Sequence, residues 1–87
     1  MIVVAESAAN SSSPKMVTAD CPGSRKAVGG GVELAAPADS PVKISLSDPA
    51  GQLGGAPTGW IAGAVEGSAY AGDWSVAAYA VCVRVAP

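Results

Sequence analysis

Short apolar runs separated by turn residues extend along the whole chain. The runs are rich in β-branched residues, and no 11-residue window keeps apolar positions at helical spacing without a Gly or Pro interrupting it. Such runs between turn signals are typical of β-strands. The pattern predicts six strands, over residues 2–6, 15–19, 26–34, 42–47, 58–65 and 74–85. We therefore expect one all-β domain over 1–87, a small antiparallel sandwich or barrel. Residues 1–14 would hold its first strand and a Ser-rich turn, and 15–87 its main body.

The connectors between the predicted strands carry explicit turn chemistry. They combine Pro, Gly, Asp, Asn and Ser, each of which favours tight turns for its own conformational reason. We predict turns over 10–14, 21–24, 37–41, 47–51 and 72–73.

Period-two spacing assigns faces to the fourth predicted strand. Val42, Ile44 and Leu46 fall on one side, and Lys43 and Ser45 fall on the other. Because successive side chains of a strand point to opposite faces, this pattern predicts a strand that is buried on one side only.

The last predicted strand is apolar on both of its sides. Such a strand is either central and covered twice, or lies in a subunit interface. One of its sides carries Tyr79, Val81, Val83 and Val85. These four residues are the candidate oligomer interface.

Three consecutive glycines occupy positions 29–31. A phosphate-binding loop would need a helix to follow them, but Val32, Glu33 and Leu34 continue a strand. The glycines therefore predict a β-bulge, or a close approach by a large neighbour such as a Trp.

The composition indicates a thin core. Alanine supplies 18 of the 87 residues, and Phe and His are absent. Small side chains bury little area each, so Trp60 and Trp74 are expected to be core residues. The absence of His excludes Ser-His-Asp and Cys-His catalysis and His-based metal sites.

The charged residues indicate neither an enzyme nor a nucleic-acid-binding protein. The net charge is −2, and the only adjacent basic pair is Arg25 and Lys26, so we expect no nucleic-acid partner. The carboxylates lack the spacing of a calcium loop, the sequence does not place any two of them across a sugar cleft, and a thin β domain offers no deep cleft. No apolar run reaches 18 residues, so we expect no membrane insertion. With no His, no C-x-x-C and no calcium-loop spacing, we also expect no metal and no cofactor.

Two cysteines, Cys21 and Cys82, lie 61 residues apart. We favour a disulfide that staples the first and last strands, and two buried free thiols are the alternative. A disulfide would imply an oxidising, extracellular setting.

Four polar or aromatic residues are candidate binding residues because the predicted turns and loops hold them. They are Tyr70, Asp73, Asp48 and Gln52. Loops on a rigid scaffold carry binding residues disproportionately often, and that position is the whole basis for this prediction.

The order of short motifs along the chain resembles a known kind of module. The motifs are E-S-A-x-N-S-x-S-P-K at 6–15, A-D-C-P-G at 19–23, G-G-G at 29–31, G-W at 59–60 and W-S-V-x-A-Y-A-V-C at 74–82. Together they resemble a small β-rich module found at or near the C-terminus of secreted actinobacterial proteins and of phage tail or collagen-like fibre proteins. The match covers nearly the whole chain.

The resemblance implies an extracellular or virion-surface location, a Cys21–Cys82 disulfide and a terminal head on an elongated stalk that is commonly trimeric. It offers no catalytic residues. The expected function is a non-catalytic head for cell adhesion or receptor binding, with a cell-surface glycan or protein receptor as partner. The alternative is a structural module, a trimeric homo-oligomer that caps a fibre and has no separate ligand.

Overall fold

Six antiparallel strands form two three-stranded sheets in a computed structural model that describes residues 1–51 and 56–84. The strands are β1 (Ile2–Glu6), β2 (Lys15–Asp20), β3 (Lys26–Ala35), β4 (Val42–Ala50), β5 (Gly59–Glu66) and β6 (Ser75–Val83). One sheet has the order β1-β6-β3 and the other has the order β2-β5-β4. The all-β sandwich is therefore confirmed. Within the described ranges no helix is long and apolar enough to cross a bilayer.

The fourth strand is longer than predicted, and the turn predicted over 47–51 is wrong for most of that segment. Asp48 lies opposite Ile61 and Pro49 lies opposite Trp60, so both belong to β4. Proline has no N–H to donate, but β4 is an edge strand, where one unpaired side is tolerated. β4 continues to Ala50, and Gly51, whose φ is +134°, is the first residue after it.

A bulge also overturns the predicted faces of the fourth strand. Ile44 lies opposite Ala64 and Leu46 lies opposite Gly63, so Ser45 has no counterpart on β5. Directly opposed residues share a face of the sheet, and neighbours on β5 point to opposite faces. Ile44 and Leu46 therefore lie on different faces, and Ile44 is 48% exposed.

The core is built from the inner faces of the two central strands, β5 and β6. Their fully buried residues are mostly small. They are Ala62 and Ala64 of β5, with Val76, Ala78 and Ala80 of β6. Trp74, directly before β6, is the largest buried side chain and confirms the prediction for that residue. A layer of alanine lets the two sheets approach closely, and so the core is thin.

The glycines at 29–31 serve both of the predicted purposes. The register of β3 against β6 shifts between Ala27 and Gly29, which is a bulge that leaves Val28 unpaired. A Cβ atom on Gly30 would overlap the indole ring of Trp60, which lies on the opposite sheet. Trp60 is half-buried against the core, and its Nε1 donates a hydrogen bond to Ser47 Oγ at 3.0 Å.

The disulfide joins Cys21 to Cys82, with 5.7 Å between their Cα atoms. Cys21 follows β2 and Cys82 lies in β6, so the bond links the two sheets. The prediction that the disulfide joins the first and last strands is correct for Cys82, which lies in the last strand, and wrong for Cys21, which follows β2 and not β1. The first strand, β1, pairs with β6 through hydrogen bonds instead.

We predict that Gly30→Ala destabilises the fold by about 1–3 kcal/mol, because the added methyl group would overlap Trp60 and the backbone oxygen of Tyr79. Gly29→Ala is the matched control, since a Cβ atom there meets nothing within 4 Å. Urea denaturation of both variants measures the difference. Equal stability of the two variants would contradict the packing described for Trp60.

Replacing both cysteines by alanine is expected to lower the free energy of unfolding by about 4 kcal/mol, because the bond closes a loop of 61 residues. Chemical denaturation of this variant beside the oxidised protein measures the loss. A change under about 1 kcal/mol would show that the thin core is sufficient without the link between the sheets.

Candidate functional site

The predicted binding residues do not form one site. Tyr70 and Asp73 lie in the segment between β5 and β6, whereas Asp48 lies in β4 opposite Ile61, near the start of β5. From Ile61 to Glu66, where β5 ends, the strand advances about 17 Å at the usual rise per residue. Gln52 lies outside the described residues.

Tyr70 is less accessible to a ligand than its position in a loop suggests. Its side chain is half-buried and packs against the core, and its phenol ring covers Gly72. Asp73 and Asp48 are exposed. Sequence position correctly indicated a loop for Tyr70, but it did not indicate that the loop folds back on the sandwich.

A buried lysine lies at the same end of the sandwich as Tyr70. Lys15 is 7% exposed, and its ammonium group lies 4.7 Å from the centroid of the Trp74 ring. It donates hydrogen bonds to Asn10 Oδ1 and to Ser12 Oγ, the latter at 3.1 Å. Trp74 Nε1 in turn donates to Glu66 Oε2 at 2.9 Å. These contacts engage the ammonium group internally and tie the segment after β1 to the core.

The outer face of the β1-β6-β3 sheet is the larger functional candidate. We call it the Tyr79 face and define it by two complete rows of opposed residues and one residue beyond them. The rows are Ile2, Val81 and Gly29, then Val4, Tyr79 and Gly31, and Val83 follows on β6. Opposed residues share a face, and the neighbouring residues Ala78, Ala80 and Cys82 point into the core.

The Tyr79 face is apolar and exposed. Ile2 and Val4 of β1 are 65% and 66% exposed, Tyr79 is 38% exposed, and Val83 is 37% exposed. The ring of Tyr79 lies over Gly31, where a Cβ atom would overlap the phenol. The polar side-chain group in the two rows of the Tyr79 face is the Tyr79 hydroxyl. β6 is thus central in its sheet, but within residues 1–51 and 56–84 only its inner side is covered, so the structure described does not show the predicted alternative of a central strand covered twice.

Charged residues bound the Tyr79 face at its two ends. Glu6 and Glu33 both lie opposite Ala77, one on each edge strand. At the other end Lys26 lies opposite Val83. Arg25 and Arg84 adjoin Lys26 and Val83 in the chain, so they add positive charge at that end.

The outer face of the other sheet is different in character. Two of its rows mix apolar residues with polar or charged ones, since Ile61 is flanked by Thr18 and Asp48, and Val65 is opposed by Lys43. Interspersed charges of this kind are ordinary for a solvated face. The row between these two, Met16, Gly63 and Leu46, is apolar. The Tyr79 face has two adjacent apolar rows where the other face has one apolar row between polar ones, so the Tyr79 face is the better candidate for an interface core.

The sequence predicts three of the seven residues that define the Tyr79 face. Tyr79, Val81 and Val83 were predicted as an interface, and Val85 lies outside the described residues. Ile2 and Val4 were missed as members, because only the pairing of β1 with β6 brings them beside Val81 and Tyr79. The β1 sequence, I-V-V-A-E, is apolar at both alternating sets of its first four positions, so no local signal marks Ile2 and Val4 as the outward residues.

The described residues contain no group of three or more His, Cys, Asp or Glu side chains that could hold a metal ion. Comparison with protein-family models, with curated proteins and with solved structures finds no match.

We predict that Lys15→Met lowers the free energy of unfolding by about 1–3 kcal/mol, because it removes the donor that joins Asn10 and Ser12 to the Trp74 ring. Lys43→Met, at an exposed position, is the control and should change stability by less than about 0.5 kcal/mol. Thermal or urea denaturation compares the two. If both variants are equally stable, the Lys15 contacts do not hold this end of the sandwich.

Proposed function

We propose that the chain is a non-catalytic structural module that joins copies of its parent protein, outside the reducing cytosol, through the Tyr79 face. The observation that carries the proposal is the exposure of two adjacent apolar rows at the centre of a sheet. Exposed apolar patches that are rimmed by charge mark interaction sites on folded proteins. This is the structural alternative of the two functions that the sequence suggests.

The size of the face sets the strength expected of the contact. Three strands are about 14 Å wide, and the six steps from Ala77 to Val83 advance about 20 Å, so the face covers roughly 300 Å². Stable complexes bury about 800 Å² on each partner. We therefore expect weak association between isolated domains, which becomes effective when several copies are held close together.

The disulfide supports the proposed location. Disulfides persist in oxidising compartments, and a thin core of alanine gains most from such a link. The resemblance to modules of secreted actinobacterial proteins and of phage tail or collagen-like fibre proteins is consistent with an extracellular or virion-surface setting.

The adhesion or receptor-binding function remains a prediction. The residues proposed for it lie at separate positions, since Tyr70 is half-buried, Asp48 lies in β4 and Gln52 is outside the described residues. Assembly through the Tyr79 face is the function that the arrangement of residues supports better.

We predict that the protein self-associates with a dissociation constant in the micromolar range and that Val81→Glu makes it monomeric, because a carboxylate would be buried in the contact. Val65→Glu is the matched control: it also lies on the outer face of a central strand, opposite Lys43, and should leave association unchanged. Sedimentation equilibrium over a concentration series measures both.

Two results would overturn this proposal. One is a wild-type protein that stays monomeric up to about 1 mM. The other is a Val81→Glu variant that keeps its fold by circular dichroism and associates as strongly as the wild type.

A further inference from the structure

The Tyr79 face carries its charges asymmetrically along the strand direction. Glu6 and Glu33 lie in the row of Ala77, and Lys26 lies in the row of Val83. The two rows of Tyr79 and Val81 separate these ends and hold no charged residue. One end of the face is therefore acidic, its centre is apolar, and its other end is basic.

A face with this polarity is complementary to its own copy in one orientation. A two-fold axis that lies between two such faces and runs across the strands reverses the strand direction of the second copy. That rotation brings the basic end of each copy over the acidic end of the other and stacks the apolar rows. An axis parallel to the strands would instead lay β3 of one copy over β1 of the other, which places Glu33 over Glu6 and leaves each Lys26 at the end away from the carboxylates, so the contact would be repulsive at its acidic end.

We infer that two copies of the chain pack face to face with their β6 strands antiparallel, and that Lys26 of each copy pairs with Glu33 at the acidic end of the other. Lys26 and Glu33 both lie on β3, and rotation about an axis across the strands keeps β3 of one copy above β3 of the other. The inference rests on the proposed function and specifies the partner and the orientation of the contact.

The geometry also determines the stoichiometry. A two-fold contact uses the same patch on both copies, so one pairing consumes the Tyr79 face of each and closes the assembly as a dimer. A three-fold ring needs two different complementary patches on each copy. The unit built through this face is therefore a dimer, and the trimer implied by the resemblance would need a second contact elsewhere.

Charge reversal tests the orientation. In the antiparallel arrangement Lys26→Glu and Glu33→Lys each turn two attractive contacts into repulsive ones, so each should raise the dimer dissociation constant about tenfold at low salt. The combined variant restores opposite charges at both ends and should return to within about threefold of the wild type. Sedimentation equilibrium of the wild type and the three variants measures these constants.

Matched controls make the same charge changes on the outer face of the other sheet. Lys43→Glu and Asp48→Lys lie on β4 at exposed positions and should leave the dissociation constant within about threefold of the wild-type value. Circular dichroism confirms that each variant is folded.

The outcomes separate this inference from the proposed function. If the wild type associates and Val81→Glu abolishes association, but the single charge reversals have no effect or the combined variant is as weak as the singles, the antiparallel orientation is wrong and the proposed function stands. A trimer as the smallest assembly also contradicts the inference. A wild-type protein that never associates contradicts the proposed function itself.

Discussion

The close approach of two alanine-rich strands is the constraint on which the rest of the structure depends. Ala62 and Ala64 of β5 face a core shared with Ala78 and Ala80 of β6, so the two sheets meet across small side chains. At Gly30 a large residue, Trp60, crosses from one sheet to the other, and it requires the glycine there. A core of this kind buries little apolar area per residue, so the fold needs additional links.

Two such links join the sheets. The Cys21–Cys82 disulfide connects the end of β2 to the central strand of the other sheet, and Lys15 of β2 lies against Trp74 beside β6. Both therefore join β2 to the β6 side of the sandwich, one near each end of β2. Larger apolar residues that the thin core does not enclose, such as Ile2, Val4 and Tyr79, lie on the outer face of the β1-β6-β3 sheet. The small volume of the core and the proposed assembly are therefore connected.

The sequence allowed the strands and the class of fold to be predicted, because turn residues and β-branched runs are local signals. Pairing is not local, and the errors reflect that. The bulge at Ser45 moved Leu46 to the other face, and the edge position of β4 allowed Pro49 to remain in a strand. Likewise, the contribution of β1 to the Tyr79 face depends on its register with β6, which no short-range pattern specifies. The loop residues chosen as a binding site failed to converge for the same reason.

The most direct test of the account is a dilution series followed by amide chemical shifts in nuclear magnetic resonance spectra. Self-association through the Tyr79 face predicts concentration-dependent shifts in the rows of Tyr79 and Val81 on β1, β6 and β3. The β2-β5-β4 sheet, at Ile61 and Val65 for example, should be unaffected. Shifts confined to the β2-β5-β4 sheet, or none at any concentration, would contradict the account.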